Sequence, residues 1–96
     1  MIVFVNRFTV HGPLDEFERA FAETAAFFAG CPGFISHRLV RSTGDPRLYV
    51  NIAEWTDQGA LRAATERPPF QEHAGRLRAL ASSDPQFFET VAERRP

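Results

Sequence analysis

The chain has 96 residues, of which 44% are hydrophobic, and its formal net charge at pH 7 is −1. A chain of this length is expected to form one domain over residues 1–96 with a modest core of its own. Because the arginines are spread along the chain rather than clustered, we expect neither a nucleic-acid partner nor binding to an anionic membrane surface.

Cys31 is the single cysteine, so an internal disulfide is excluded. It precedes a loop-like PGF without the CxxC or nearby histidine spacing of a metal site, and we interpret it as a small packing residue. The opening MIVFV is too short and lacks the basic flank of a signal peptide, so we expect neither a signal peptide nor a transmembrane segment. We therefore expect a cytoplasmic protein without a bound metal.

The first third of the chain predicts a strand followed by a helix. Residues 2–10, IVFVNRFTV, are rich in β-branched and aromatic residues and predict the strand. The helix is predicted from Pro13 to Ala29, with Gly12 at its N-cap and acidic residues in its first turns. Its buried stripe at helical spacing consists of Phe17, Phe21, Thr24 and Phe28.

The rest of the chain predicts a hairpin, an interrupted helical region and a last strand. The hairpin is predicted from two strand-like stretches, GFISHRLVRST (33–43) and LYVNIAEWT (48–56), which flank the turn sequence GDPR. After Asp57, a plausible N-cap, RPP separates two helical patterns, so we expect a kinked or split helix. SSDP is interpreted as a loop and QFFETVA (86–92) as the final strand.

The order β-α-β-β-α-β is typical of the ferredoxin-like split βαβ fold, an α+β class with helices on one face of an antiparallel sheet. Both sides of the third strand are largely apolar: Leu48, Val50 and Ile52 alternate with Tyr49, Asn51, Ala53 and Trp55. Because the helices cover one face only, we expect the face of Val50 and Ile52 to meet a second copy, sheet to sheet.

An asparagine and a tryptophan share one face of the third strand. At a rise of about 3.3 Å per residue, Asn51 and Trp55 lie about 13 Å apart, and the small Ala53 leaves a gap that suits a flat aromatic molecule. Buried amide and indole N–H groups normally have hydrogen-bond partners, so this pair predicts a polar ligand unless the backbone supplies those partners. Asn6 lies similarly between Phe4 and Phe8 on the first strand.

Five stretches occur in a characteristic order and cover nearly the whole chain: FVNRFTV, DEFERAFAE, CPGFISHRLVRS, DPRLYVNIAEWTD and PPFQEHAGRL. In these stretches the chain resembles the antibiotic biosynthesis monooxygenase family of dimeric α/β-barrel proteins. The resemblance implies a homodimeric α/β barrel with a pocket between sheet and helices. In the anthrone-oxidising members, O2 oxidises a small aromatic substrate without metal or flavin, and an Asn and a Trp that match Asn51 and Trp55 line the pocket.

The resemblance also implies roles for these residues. Asn51 is expected to hold the developing oxyanion and Trp55 to orient the substrate. A tyrosine that family members use for proton transfer aligns with Leu61, so a replacement base is needed, and His73 is our candidate because it shares a helix face with apolar residues. The remaining residues expected to bind substrate are Phe4, Asn6, Phe8, His37 (which alternates with Ile35 and Leu39), Tyr49, Leu61 and Phe70.

Two alternatives accompany the preferred function, which is cofactor-independent oxidation of a polyketide-type phenol or anthrone to a quinone. Many members of this fold are polyketide cyclases or binding modules without a redox role. In addition, Asn6 and His73 resemble positions of a branch that degrades haem. Ala63 stands where that branch has a ring-distorting tryptophan, which argues against haem degradation but not against haem binding.

Overall fold

The computed structural model describes all 96 residues and contains a four-stranded antiparallel sheet with three helices packed on one face. The elements in chain order are β1 (Ile2–Val10), α1 (Leu14–Ala29), β2 (Phe34–Arg41), β3 (Leu48–Trp55), α2 (Gln58–Thr65), α3 (Pro68–Arg78) and β4 (Ala81–Phe88). The sheet order is β2-β3-β1-β4, so β2 and β4 are the edges. This is the predicted ferredoxin-like architecture.

Aromatic packing holds α1 against the sheet. The helix begins one residue later than predicted, with Pro13 rather than Gly12 at its N-cap. Its predicted stripe is confirmed at the buried Phe17 and Phe21, whose rings lie 5.2 Å and 5.9 Å from the ring of Phe8 on β1. Such tilted and edge-to-face pairs stabilise the packing beyond their buried area, and they set the position of α1 over the sheet.

A β-bulge changes which side chains of β2 face the helices. The pairing of β2 with β3 shifts register between Phe34 and Ser36, and Ile35 is 46% exposed. An extra residue on one strand reverses the alternation beyond it, so Phe34 and His37 both face inward. The expectation that His37 faces inward is confirmed, whereas the expectation that Ile35 shares its face is wrong.

The helical region after β3 is split, as predicted. The carboxylate of Asp57 accepts a hydrogen bond of 2.8 Å from the backbone N–H of Ala60 and caps α2. The two prolines of RPP occupy the first turn of α3 and thus begin a new helix, because a proline there loses no intrahelical hydrogen bond. Gly33 adopts φ +90°, and a Cβ there would lie 2.5 Å from the Cβ of Ala60, so this glycine lets α2 approach the sheet.

The prediction for the last strand was wrong in position. Residues 82–85, interpreted as a loop, belong to β4, which begins at Ala81 and ends at Phe88. Pro85 is tolerated because β4 is an edge strand, where the missing N–H does not interrupt the ladder with β1. The polar residues of SSDP fit an edge strand that has an exposed side.

Two groups of side chains fill the interior. The Phe17 cluster consists of Phe8, Val10, Phe17, Phe21, Ala25, Tyr49 and Ala81, and the Trp55 cluster consists of Cys31, Ala53, Trp55, Leu61 and Ala64. Cys31 is buried, with its thiol 3.4 Å from the carbonyl oxygen of Phe27, which agrees with a packing role. None of the three helices combines the length and apolar character that a membrane span requires.

Candidate active site

A cavity of about 490 Å³ lies between the inner face of the sheet and the three helices. This volume is typical of sites for drug-sized ligands. Eight of the residues that the sequence predicted for the site line the cavity: Phe4, Asn6, Phe8, His37, Asn51, Trp55, Leu61 and Phe70. Two others, Tyr49 and His73, are not among its lining residues.

The two asparagines lie side by side on the sheet. Asn6 of β1 and Asn51 of β3 are direct partners in the antiparallel register, and Phe4 is opposite Ala53 in the next pair on the same face. Directly opposed residues have Cβ atoms about 4.5–5.5 Å apart, so one ligand can touch both amides. The small Ala53 is buried beside them and leaves the gap that the sequence predicted.

Both amides lack partners for their oxygens. Oδ1 of Asn6 and Oδ1 of Asn51 are each buried without a hydrogen bond, so no backbone group pairs with these oxygens. Leaving a buried polar atom unsatisfied costs about 1–3 kcal/mol, a cost that a bound ligand can remove. Since a primary amide carries two N–H donors and one acceptor, the pair can bind a hydroxyl group and an oxyanion of one molecule.

Trp55 forms a rigid wall at one end of the cavity. It is 1% exposed, and its ring makes edge-to-face contacts with Phe28 at 5.6 Å and with Phe34 at 5.4 Å. These two contacts at interplanar angles of 88° and 87° fix the plane of the indole. A flat ligand between the sheet and α1 therefore meets an aromatic surface of fixed orientation.

His37 is the lining residue whose side chain, an imidazole, can accept a proton. The cavity lining contains no Asp, Glu, Tyr or Cys, and its other titratable residues are Arg62 and Arg78. The imidazole lies 5.8 Å from the ring of Phe21 and 6.3 Å from that of Phe34, while the residue as a whole is exposed. A proton taken up in the cavity thus has a route to solvent.

The structure does not bring His73 to the cavity. Its ring packs on Phe27 of α1 at 5.5 Å, and its Nδ1 is buried without a hydrogen bond. At about 100° per residue, position 73 is turned about 60° away from position 70, toward α1, whereas Ala74 and Leu77 stay on the cavity side. His73 therefore lies outside the cavity lining, and its expected roles as the base and as a haem ligand stay predictions.

Tyr49 belongs to the Phe17 cluster instead of the cavity. Its ring lies 4.9 Å from that of Phe17, and its hydroxyl donates a hydrogen bond of 2.6 Å to the carboxylate of Glu18. Arg41 forms an ion pair of 3.4 Å with the same carboxylate. Burial, together with the Glu18 carboxylate, raises the pKa of the Tyr49 phenol above its ordinary value. Tyr49 is a structural residue that joins β3 to α1.

Several residues that line the cavity were not predicted from the sequence. Some lie on β4, whose first half was interpreted as a loop, and others have polar side chains that suggested a position in solvent. The inner face of β4 contributes Ala81, Ser83, Pro85 and Phe87, and α2 and α3 add Gln58, Arg62, Thr65 and Arg78. The four β4 residues occupy every second position, and this alternation could have identified the strand and its inner face from the sequence. Among the His, Cys, Asp and Glu residues, no group of three or more could hold a metal ion.

Comparison with known proteins gives close relatives. The model of the antibiotic biosynthesis monooxygenase family matches residues 1–76. The deoxynogalonate monooxygenase of Streptomyces nogalater is 54% identical over 87 residues, which are 91% of this chain and 74% of that protein. The crystal structure of SnoaB, a cofactor-independent oxygenase from Streptomyces nogalater, matches with a TM-score of 0.94 and 51% identity, covering 96% of this chain and 94% of that chain.

A distant structure shows how widely the fold extends. A conserved protein from Methanosarcina mazei is 19% identical, yet it matches with a TM-score of 0.82 over 91% of this chain and 89% of its own. At that identity the likeness shows the fold alone. The family match and the 54% identical relative show that the chain belongs to the antibiotic biosynthesis monooxygenase family.

Proposed function

We propose that this protein is a cofactor-independent monooxygenase that oxidises an aromatic polyketide-type phenol or anthrone to a quinone with O2. The observation that carries the proposal is the pair of unpartnered amides, Asn6 and Asn51, on the floor of an otherwise largely apolar cavity. The Streptomyces nogalater matches support it, since their descriptions name a deoxynogalonate monooxygenase and a cofactor-independent oxygenase.

The first step is removal of a proton from the substrate. In the proposed mechanism the imidazole of His37 accepts this proton and passes it to solvent on the exposed side of β2. The negative charge that develops on the substrate oxygen is held by the amide N–H groups of Asn51 and Asn6. Donors in a cavity lined mainly by apolar side chains stabilise such a charge more strongly than donors in water do.

The substrate anion then supplies the electrons for the reaction. It gives one electron to O2, and the resulting substrate radical and superoxide combine to form a C–O bond. Protonation gives a hydroperoxide, which loses water as its O–O bond breaks and a C–H bond gives up its proton. A CH2 group has then become a C=O group: one oxygen atom of O2 stays in the product and the other leaves in water. The anion itself is the reductant.

Isotopic labelling tests this function directly. A hydroxylated anthrone is incubated with the purified protein under labelled O2, and we expect one labelled oxygen atom per quinone at a rate well above spontaneous oxidation. A metal chelator is expected to leave the rate unchanged. Tyr49→Phe, on the same strand but outside the cavity, is the control that should keep the activity. A rate no higher than the spontaneous one would contradict the proposal and favour a cyclase or a binding module.

We also propose a homodimer formed through the outer face of the sheet. Apolar side chains on this face include Val3 and Val5 of β1, Val50 and Ile52 of β3, and the exposed Val40 and Phe88. The same face carries two positive and two negative side chains, none of which forms an ion pair within the chain: Arg7, Arg38, Glu54 and Asp84. A face with balanced, unpaired charges suits a copy of itself across a two-fold axis.

Sedimentation tests the dimer. Val50→Lys places a charge in the proposed interface, and because burying an unpaired ammonium is costly, we expect this variant to be monomeric or unfolded at micromolar concentration. Val91→Lys makes the same change at a residue that is 93% exposed, and it should remain dimeric. A wild-type protein that sediments as a stable monomer would contradict the proposed dimer.

The expected cellular setting stays a prediction. The cytoplasmic location and the absence of a nucleic-acid partner come from the sequence alone. Fractionation of the producing cells tests the first, and an electrophoretic mobility assay with DNA and RNA tests the second.

A further inference from the structure

The floor of the cavity is closed along the strands and open across them. Along β3, the face that carries Asn51 ends at Trp55 in one direction and at Tyr49 in the other, and these two end residues are 1% and 2% exposed. Across the sheet, the cavity lining reaches two exposed residues on the edge strands, His37 of β2 and Phe87 of β4. A long, flat ligand therefore has room across the strands rather than along them.

One row of side chains crosses all four strands on this floor. Ala53 of β3 pairs with His37 of β2 on one side and with Phe4 of β1 on the other. Phe4 pairs in turn with Phe87 of β4, and all four residues of the row line the cavity. Neighbouring strands lie about 4.8 Å apart, so the row spans about 14 Å. A linear molecule of several fused rings suits this row, since each added ring lengthens the molecule by about half of one strand spacing.

Phe87 is the outermost aromatic residue of the row. Its ring lies 5.3 Å from that of Phe4 at an interplanar angle of 49°. Phe87 is nevertheless 41% exposed, although it lines the cavity. Exposed apolar surface at the end of a cavity favours a ligand that covers it, because the ligand removes that surface from water.

We infer that the fused rings of the substrate lie across the strands and that Phe87 binds the terminal ring at the β4 end, so that it selects for the number of rings. The inference rests on the proposed function and adds a subsite to it. In this orientation the apolar row carries the rings. Asn51 and Asn6 form the next row, two residues along the strands, and meet oxygen atoms on one long edge of the molecule.

The amides and Phe87 then have separate tasks. Phe87 contacts a ring that does not react, so the contact stabilises the bound substrate and the transition state alike. The amides meet a charge that develops only during the reaction. Loss of the Phe87 ring should therefore weaken binding and raise KM, with kcat nearly unchanged.

A binding comparison tests the inference without any need for turnover. The probes are a hydroxyanthraquinone with three fused rings and a hydroxytetralone with two, each with its hydroxyl group next to a carbonyl group. Trp55 is the single tryptophan and lines the cavity, so its fluorescence reports binding, with calorimetry as a second measurement.

The variant is Phe87→Ala, and Phe88→Ala is its matched control. Phe88 is the next residue on β4 and is 45% exposed, but it lies outside the cavity lining. Both variants are also sedimented, because Phe88 belongs to the proposed dimer face. Phe87→Leu keeps apolar packing on Phe4 and serves as a second variant if Phe87→Ala does not fold.

We expect the wild-type protein to bind the three-ring probe at least about tenfold more tightly than the two-ring probe, since the third ring buries additional apolar surface. Phe87→Ala should lose about tenfold in affinity for the three-ring probe and little for the two-ring probe, whereas the control should lose neither. Phe87→Leu should show a smaller loss of the same kind.

Equal losses for both probes in the Phe87 variants, or no loss for either probe, would overturn the inference. A ring-number preference that depends on Phe87 in a protein that does not oxidise anthrones would overturn only the proposed function. Anthrone oxidation with a KM that Phe87→Ala leaves unchanged would overturn only the inference.

Discussion

Tyr49 and Asn51 are two residues apart on the same strand and face the same side of the sheet, yet their polar groups meet different conditions. The Tyr49 hydroxyl donates to Glu18 at 2.6 Å, and its ring packs on Phe17. The amide of Asn51 has a buried oxygen without a partner and borders a cavity of about 490 Å³.

The difference shows how to separate structural polar groups from functional ones in this fold. A buried polar group whose partner lies within the chain contributes to stability, because its hydrogen bond replaces the one it made with water. A buried polar group without a partner reduces stability, and its retention needs another reason. We propose that this reason is a ligand, because a cavity lies beside Asn51 and the matching amide of Asn6 borders the same cavity.

Removal of the cavity imidazole should have the largest effect on the reaction. We expect His37→Ala to lower kcat by about 10²–10⁴ and to remove the acid limb of the pH–rate profile, because the proton of the substrate loses its acceptor. His11→Ala, at an exposed position away from the cavity, is the control. Steady-state kinetics across the pH range measures both. An unchanged profile in His37→Ala would mean that the substrate ionises without the protein.

Trp55→Phe should have an intermediate effect. The change keeps an aromatic surface but removes the N–H and weakens the contacts with Phe28 and Phe34 that fix the plane of the ring. We expect kcat/KM to fall by about tenfold, partly through KM, since positioning is impaired while the charge on the substrate is still held. Kinetics with an anthrone checks this, and a loss as large as that of His37→Ala would assign Trp55 a direct chemical role.

Tyr49→Phe should lower stability and leave turnover unchanged. Loss of the hydrogen bond to a half-exposed carboxylate should lower the free energy of unfolding by about 1 kcal/mol. Since the pKa of Tyr49 is raised in the folded state, the wild type should lose stability as the pH rises above about 10, and the variant should lose less. Urea unfolding at neutral and alkaline pH measures both effects. A turnover defect would contradict the structural role.

His73→Phe should have the smallest effect. The new ring can keep the contact with Phe27 and removes a buried nitrogen that has no partner, so we expect the free energy of unfolding to stay the same or rise by up to about 1 kcal/mol. Turnover should equal that of the wild type. A hundredfold loss of kcat would return His73 to the mechanism.

The fold was predictable because hydrophobic alternation, helix caps and the GDPR turn act locally and agree with one another. Asp57 caps α2 as its side chain type suggests, and the stripe beginning with Phe17 is buried as its spacing requires. The start of β4 was missed because SSDP has the composition of a turn, and only the edge position of the strand, a tertiary property, makes Pro85 acceptable.

The site was predictable in part because the alternation of side chains along a strand is also a local property. Strand periodicity correctly put Asn6, Asn51 and Trp55 on one face, since alternation is strict along a regular strand. It could not say that Tyr49 on that face finds an internal partner, because Glu18 comes from a different element. His73 was misplaced because a residue at the flank of a helix stripe can face either the cavity or the next helix, and packing against α1 decides which.

The central claim is that the amide of Asn51 serves a ligand at some cost to the fold, and Asn51→Ala tests it when turnover and stability are measured on the same preparation. We expect kcat to fall by about 10²–10³, as for the loss of one oxyanion donor, with a free energy of unfolding equal to or above that of the wild type. Wild-type turnover together with a loss of about 1 kcal/mol or more in stability would contradict the claim, because Asn51 would then be a structural residue like Tyr49.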